Sequence, residues 1–138
     1  MEKTPILAIM YDFDHTLSPR DMQEYGFIPD LGMEPDIFWS KCVAAMKKNQ
    51  MDQILAYMYM MLEEAKGKLI VNRNMLRALG KDVQLFDGVS DWFARVNEYA
   101  RRRGLQPEHY IISSGLKEII VGTPIAEEFK EIYAASFC

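Results

Sequence analysis

A short apolar block that runs straight into acid constrains this chain more than any other feature. Ile6, Leu7, Ala8, Ile9 and Met10 follow one another without a polar break. A run of that length reads as a β-strand buried on both faces, the strand type of parallel sheets. Tyr11 then leads into Asp12-Phe13-Asp14, and Pro19 breaks the pattern. In extended backbone, residues two apart share a side, so the two carboxylates fall together. Like charges so close repel unless a cation or a phosphate site uses them. The end of the first strand is therefore the place to look for function.

The rest of the chain alternates. Gly26, Pro29, Gly32 and Pro35 punctuate an irregular stretch after Pro19. Helical periodicity then begins at Pro35, with Trp39, Cys42, Val43 and Met46 on one face and Lys47-Lys48 closing the helix. Asn49, followed by Asp52, reads as the cap of a second helix carrying Met51, Ile54, Leu55, Met58, Met61, Leu62 and Ala65, ending near Gly67. Tyr57 and Met60 lie on its other face, as a second buried face or as a wall toward substrate. A short helix from Asn72 to Leu79, stopped by Gly80, completes an all-helical segment. Asp87-Gly88 opens a long amphipathic helix with Val89, Trp92, Phe93, Val96 and Ala100 inward, ended by Gly104.

His109 to Ile112 is a second short apolar strand running into Ser113-Ser114-Gly115, where a further helix starts. Thr123-Pro124 reads as the start of one more helix through Phe129, and Ile132 to Phe137 as a third strand. Strands alternating with helices imply an α/β fold with a parallel sheet and right-handed crossovers. Ligands of such sheets bind at the carboxyl ends of the strands. Asp12, Asp14 and the Ser-Ser-Gly turn all sit there.

Composition excludes several functions. A net charge of −4 and 49% hydrophobic content suit a globular protein and do not suggest a nucleic-acid binder. The Arg101-Arg102-Arg103 run sits where it complements a helix dipole. No stretch approaches a membrane span. Cys42 and Cys138 are the only cysteines, which makes no disulfide framework and fits a reducing cytoplasm.

The residue types point to phosphoryl transfer. A carboxylate can attack phosphorus and form an acyl-phosphate. A divalent cation such as Mg2+ offsets the repulsion between the two anions. A second carboxyl can protonate the leaving oxygen and later activate water. Hydroxyls and backbone N–H groups of a Ser-Ser-Gly turn can hold phosphoryl oxygens.

Asp12-Phe13-Asp14-His15-Thr16-Leu17 after an apolar strand resembles the first motif of the haloacid-dehalogenase (HAD) superfamily, and Ile111-Ile112-Ser113 resembles its second. The helical segment is similar to the cap that phosphoserine-phosphatase-like members insert after the first strand. The resemblance implies a Rossmann-like HAD core of about three strands, residues 1–18 and 84–138, with a helical cap at 19–83. It implies that Asp12 is the nucleophile and binds Mg2+, and that Asp14 is the general acid/base with its carbonyl on the metal. Ser113, with Ser114 and Gly115, would bind phosphate, and Thr16 would brace the first loop. His15 stands where the family most often has Gly. An Asp at position 14 favours a phosphatase or phosphotransferase over haloacid dehalogenases and P-type ATPases.

The family's lysine and its later acidic pair find no match. Lys117 and Lys130 fall on predicted helices, and Glu127, Glu128 and Glu131 read as a solvated helix face. The expectation is thus the first half of a HAD enzyme: a Mg2+-dependent phosphomonoester hydrolase in truncated or cleaved form, acting on a small phosphorylated metabolite. The alternative is a catalytically silent fragment that works only by association with a partner. In either case the strand Ile6 to Tyr11 lacks its second neighbour, so an unpaired edge and an exposed apolar face should favour self-association or pairing with a C-terminal half.

Overall fold

The computed structural model describes residues 3–137; Cys138 lies outside them. The first strand, β1 (Ile6–Tyr11), is followed by a 3-10 turn at Met22–Glu24 and the helices α1 (Phe27–Asp30), α2 (Pro35–Asn49), α3 (Gln53–Ala65) and α4 (Arg73–Ala78). A second 3-10 turn, Leu79–Asp82, leads to α5 (Val89–Arg102), β2 (Gln106–Leu116), α6 (Lys117–Val121) and β3 (Phe129–Ala135). The strands form one parallel sheet in the order β1-β2-β3. Tyr11 stands opposite Ile111, and Ile111 opposite Ile132, so the carboxyl ends of β1 and β2 are neighbours.

The first strand is not buried on both faces. Ile6 is 58% and Met10 57% exposed, while Ile9 and Tyr11 are half-buried. Among the described residues β1 pairs only with β2, and only the Tyr11 side is covered, by Phe93 of α5. An apolar run tells that a strand could be buried twice over; the partners that would bury it are not written in the run itself.

The expected helix through Phe129 is also absent. Only a 3-10 turn forms at Ala126–Glu128, and Phe129 begins β3. Lys130 and Glu131 are therefore strand residues, and Lys130 Nζ lies 2.9 Å from a carboxylate oxygen of Glu108 on β2. The backbone ladder to β2 and the edge-on packing of Phe129 against Tyr11 and Phe93 outweigh the weak helical preference of a glutamate-rich stretch.

Helices α2 to α5 form where periodicity puts them, α2 and α3 with their faces rotated. In α2, Phe38, Cys42 and Ala45 are buried, whereas Val43 is exposed. In α3, Ala56, Tyr57, Met61 and Ala65 are buried, and Ile54, Leu55 and Leu62 are exposed. A helix apolar all round has no unique inward face in its sequence. The cap of α3 is Asp52 rather than Asn49, since its carboxylate accepts the Leu55 N–H at 2.9 Å. In α5, Val89, Phe93 and Ala100 turn inward as expected, while Trp92 is exposed and donates its indole N–H to the Tyr11 hydroxyl at 2.9 Å. Arg102 pairs with Glu98 on the last turn.

Gly80 lies past the end of α4, inside the 3-10 turn, where it allows close contact. A Cβ there would stand 2.3 Å from the carbonyl carbon of Gly122, and one on Gly122 would stand 1.7 Å from the Arg77 carbonyl oxygen. The α4 segment and the exit of α6 thus meet backbone to backbone. Among the described residues, no helix is long and apolar enough to cross a membrane.

Candidate active site

Phe13 sorts the two aspartates. It is fully buried, and its carbonyl accepts the N–H groups of Thr16, Leu17 and Ser18 at 3.2, 2.9 and 3.2 Å. The chain is thereby wrapped into a tight turn around a core anchor. His15 completes the turn at φ 61°, a left-handed conformation that a side chain makes costly. That is the physical reason a glycine suits this position. His15 itself is largely exposed, with Nε2 3.3 Å from an Asp21 oxygen.

The turn separates the carboxylates. Asp12 is exposed at the strand end, with Oδ1 accepting the Phe13 N–H at 2.7 Å. Asp14 is half-buried and accepts the Met22 N–H at 2.9 Å. Burial, reinforced by the neighbouring charge of Asp21, pushes its carboxyl from 3.8 up to about 7. One carboxyl is thus open to solvent, while the other can hold a proton near neutrality, a division that acid–base chemistry needs.

The second motif stands on the neighbouring strand. The β2–β3 register shifts between Ile112 and Leu116, so Ser113-Ser114-Gly115 bulges at the carboxyl end. Ser113 Oγ accepts the Gly115 N–H at 3.0 Å. Gly115 leaves room for the thioether end of Met22, whose Cε would stand 2.1 Å from a Cβ there. Ser114 is exposed, and its carbonyl accepts the Tyr57 hydroxyl at 2.7 Å. Thr16 is exposed, and its part in the turn is its amide.

Between the helical insertion and this loop lies a cavity of about 400 Å³, lined by Asp14, Asp21, Gln23, Trp39, Cys42 and Tyr57 among others. Gln23 is buried with its Oε1 unpartnered among the described residues. Burial, with Asp14 and Glu118 nearby, holds the Tyr57 hydroxyl protonated above its ordinary range. The two readings of Tyr57 merge, because it is a buried core residue and a cavity wall at once. Asp21, Met22 and Gln23 escaped the sequence reading because glycines and prolines mask the segment. Its signal was the spacing of Met22, Phe27, Ile28 and Leu31, all buried.

No family model matches the sequence. An uncharacterized protein of Borreliella burgdorferi is 26% identical over 148 aligned residues, which cover 99% of this chain and 51% of that protein. The fold is similar to the crystal structure of a HAD family hydrolase from Salmonella enterica serovar Typhi. The TM-score is 0.57 at 16% identity, with 96% of this chain and 42% of that one covered. The fold is HAD-like. Three parallel strands with flanking helices correspond to part of a HAD Rossmann-like core, and the chain spans about half the length of the proteins it matches.

Proposed function

We propose that this chain carries the phosphoryl-accepting half of a HAD-type phosphomonoesterase. The observation that supports it is the split of two near-adjacent carboxylates. Asp12 stands open at the carboxyl end of β1, and Asp14 is folded under the insertion into a cavity beside the Ser-Ser-Gly bulge. Asp12 attacks phosphorus, the ester oxygen leaves, and an aspartyl-phosphate forms. Asp14, protonated near neutral pH, gives its proton to the leaving oxygen and then takes one from the attacking water. The Ser113 hydroxyl, oriented by the Gly115 N–H that it accepts, donates to a phosphoryl oxygen. The leaving alcohol occupies the cavity, where a donor on it satisfies Gln23 Oε1.

The donor set fits Mg2+. The exposed Asp12 carboxylate and the Asp14 carbonyl are hard oxygen ligands, and Mg2+ accepts one or two carboxylates while keeping waters and substrate oxygens. Among the described residues no group of three or more acidic, histidine or cysteine side chains gathers. Bound there, the ion would neutralise charge between the attacking carboxylate and the phosphate.

The test is hydrolysis of p-nitrophenyl phosphate with Mg2+, by this chain alone and with a separately produced polypeptide corresponding to the remaining half of the Borreliella protein. Asp12→Asn is expected to abolish turnover with the fold intact. Turnover at the wild-type rate in that variant would end the proposal. A second reading, a silent fragment that works by association, is favoured by the open apolar edge of β1. Size-exclusion chromatography distinguishes it: self-association without hydrolysis supports the second reading, and a monomer that hydrolyses phosphoesters refutes it.

A further inference from the structure

Glu118 is a buried acid that the proposed chemistry does not use. It sits on α6, one residue past the first, and is 7% exposed. Its Oε1 accepts the Ser136 hydroxyl and the Phe137 N–H, the latter at 3.2 Å. Its Oε2 meets no donor among the described residues. A buried carboxylate oxygen left unpaired is costly, and native structures rarely leave one without a purpose.

Glu118 forms a wall shared by two cavities. One, of about 340 Å³, is lined by Arg73 and Arg77 of α4 and by Lys117, Val121 and Ser136. The other, of about 390 Å³, has an apolar side formed by Leu62, Val71, Leu76 and Phe137 beside the polar Asn72, and it shares Arg73 with the first. Among the described residues no carboxylate lies within ion-pair distance of Arg73, Arg77 or Lys117. Among the described residues, three cations without a counter-ion, one acid oxygen without a donor and a recess with an apolar side thus adjoin one another at the seam between α4 and α6.

We infer that this seam binds a small zwitterion, an α-amino acid with an apolar side chain. Its carboxylate sits among Arg73, Arg77 and Lys117, where guanidinium forks match carboxylate geometry. Its ammonium donates to Glu118 Oε2, and its side chain enters the recess by Leu62, Val71 and Leu76. An anion alone leaves Glu118 unpaired, and an amine alone leaves the cations unmatched. A ligand with both charges satisfies both. Because α4 comes from the helical insertion and α6 follows the Ser-Ser-Gly bulge, such a ligand bridges the two parts of the fold.

The experiment is isothermal titration calorimetry of the whole chain with L-leucine, 4-methylpentanoate, which lacks the ammonium, and 3-methylbutylamine, which lacks the carboxylate. L-leucine is expected to bind saturably and both analogues at least about tenfold more weakly, as befits loss of a charge-assisted contact. Glu118→Gln keeps an acceptor for Ser136 and Phe137 and should weaken leucine about tenfold while leaving 4-methylpentanoate unchanged. The exposed pair Arg73→Gln and Arg77→Gln, which does not endanger the core, should weaken leucine and 4-methylpentanoate alike. No saturable leucine heat at about 10 mM, weaker than the millimolar range of the feeblest specific complexes, or equal affinity in all the variants, overturns the inference. The readout is independent of phosphatase activity, so it stands or falls apart from the roles of Asp12 and Asp14.

Discussion

Asp14→Asn should make the protein more stable and less able, in a way that depends on pH. The folded carboxyl is pushed from 3.8 up to about 7, a gap of about three pH units, each worth about 1.4 kcal/mol. Below about pH 4 the group is neutral in both folded and unfolded chains, so it costs nothing. Between about pH 4 and 7 the unfolded chain ionises while the folded one does not, and stability falls. Above about pH 7 the full cost, up to about 4 kcal/mol, is present. Asp14 is only half-buried, so screening reduces the expectation to about 2–3 kcal/mol. Asparagine is neutral throughout and keeps the oxygen that accepts the Met22 N–H. Urea titrations in EDTA should find the variant equal to wild type near pH 4 and about 2–3 kcal/mol more stable at about pH 8. Turnover should fall by about 10²–10⁴-fold. A stability difference that is the same at both pH values, or of opposite sign at the higher one, would refute the reasoning.

Tyr57→Phe removes the donor to the Ser114 carbonyl and should cost about 1–2 kcal/mol in urea unfolding; unchanged stability would show that this bond carries nothing. Gly122→Ala drives a Cβ into the Arg77 carbonyl oxygen and should cost at least about 3 kcal/mol, read as a lowered Tm. His15→Val, a branched side chain at a left-handed φ, should cost about 1–2 kcal/mol, whereas His15→Gly should stay within about 0.5 kcal/mol of wild type. Equal melting of the two His15 variants would argue against backbone strain at that turn.

Much of this was legible in the chain because local chemistry enforces it. Apolar runs, Pro35, Asn72 and Gly88 set strands and helix starts, and Asp12-Phe13-Asp14 marked a candidate site through its like charges. What escaped depended on distant partners. The run alone reads as doubly buried; the exposure of Ile6 and Met10 was expected only from the family resemblance, which left β1 without its second neighbour. The inward faces of α2 and α3 follow from how the two helices dock, since both are apolar on more than one side. Phe129 to Ala135 became a strand because β2 and Phe93 were there to receive it. Gln23 and Glu118 stood out only once burial showed each with an oxygen that nothing among the described residues satisfies.

The backbone contact between Gly80 and Gly122 also bears on mechanics. A joint with no side chains in it has no slack, so the α4 segment is pressed directly onto the exit of α6. The α2–α3 hairpin is anchored differently. Left-handed glycines stand at both of its feet, Gly32 at φ 72° and Gly67 at φ 74°, positions that absorb backbone rotation easily. Its far side is held to the bulge by the Tyr57–Ser114 hydrogen bond. The insertion is thus fastened at two points of opposite kind, bare backbone at Gly80 and Gly122 and a single phenol at Ser114.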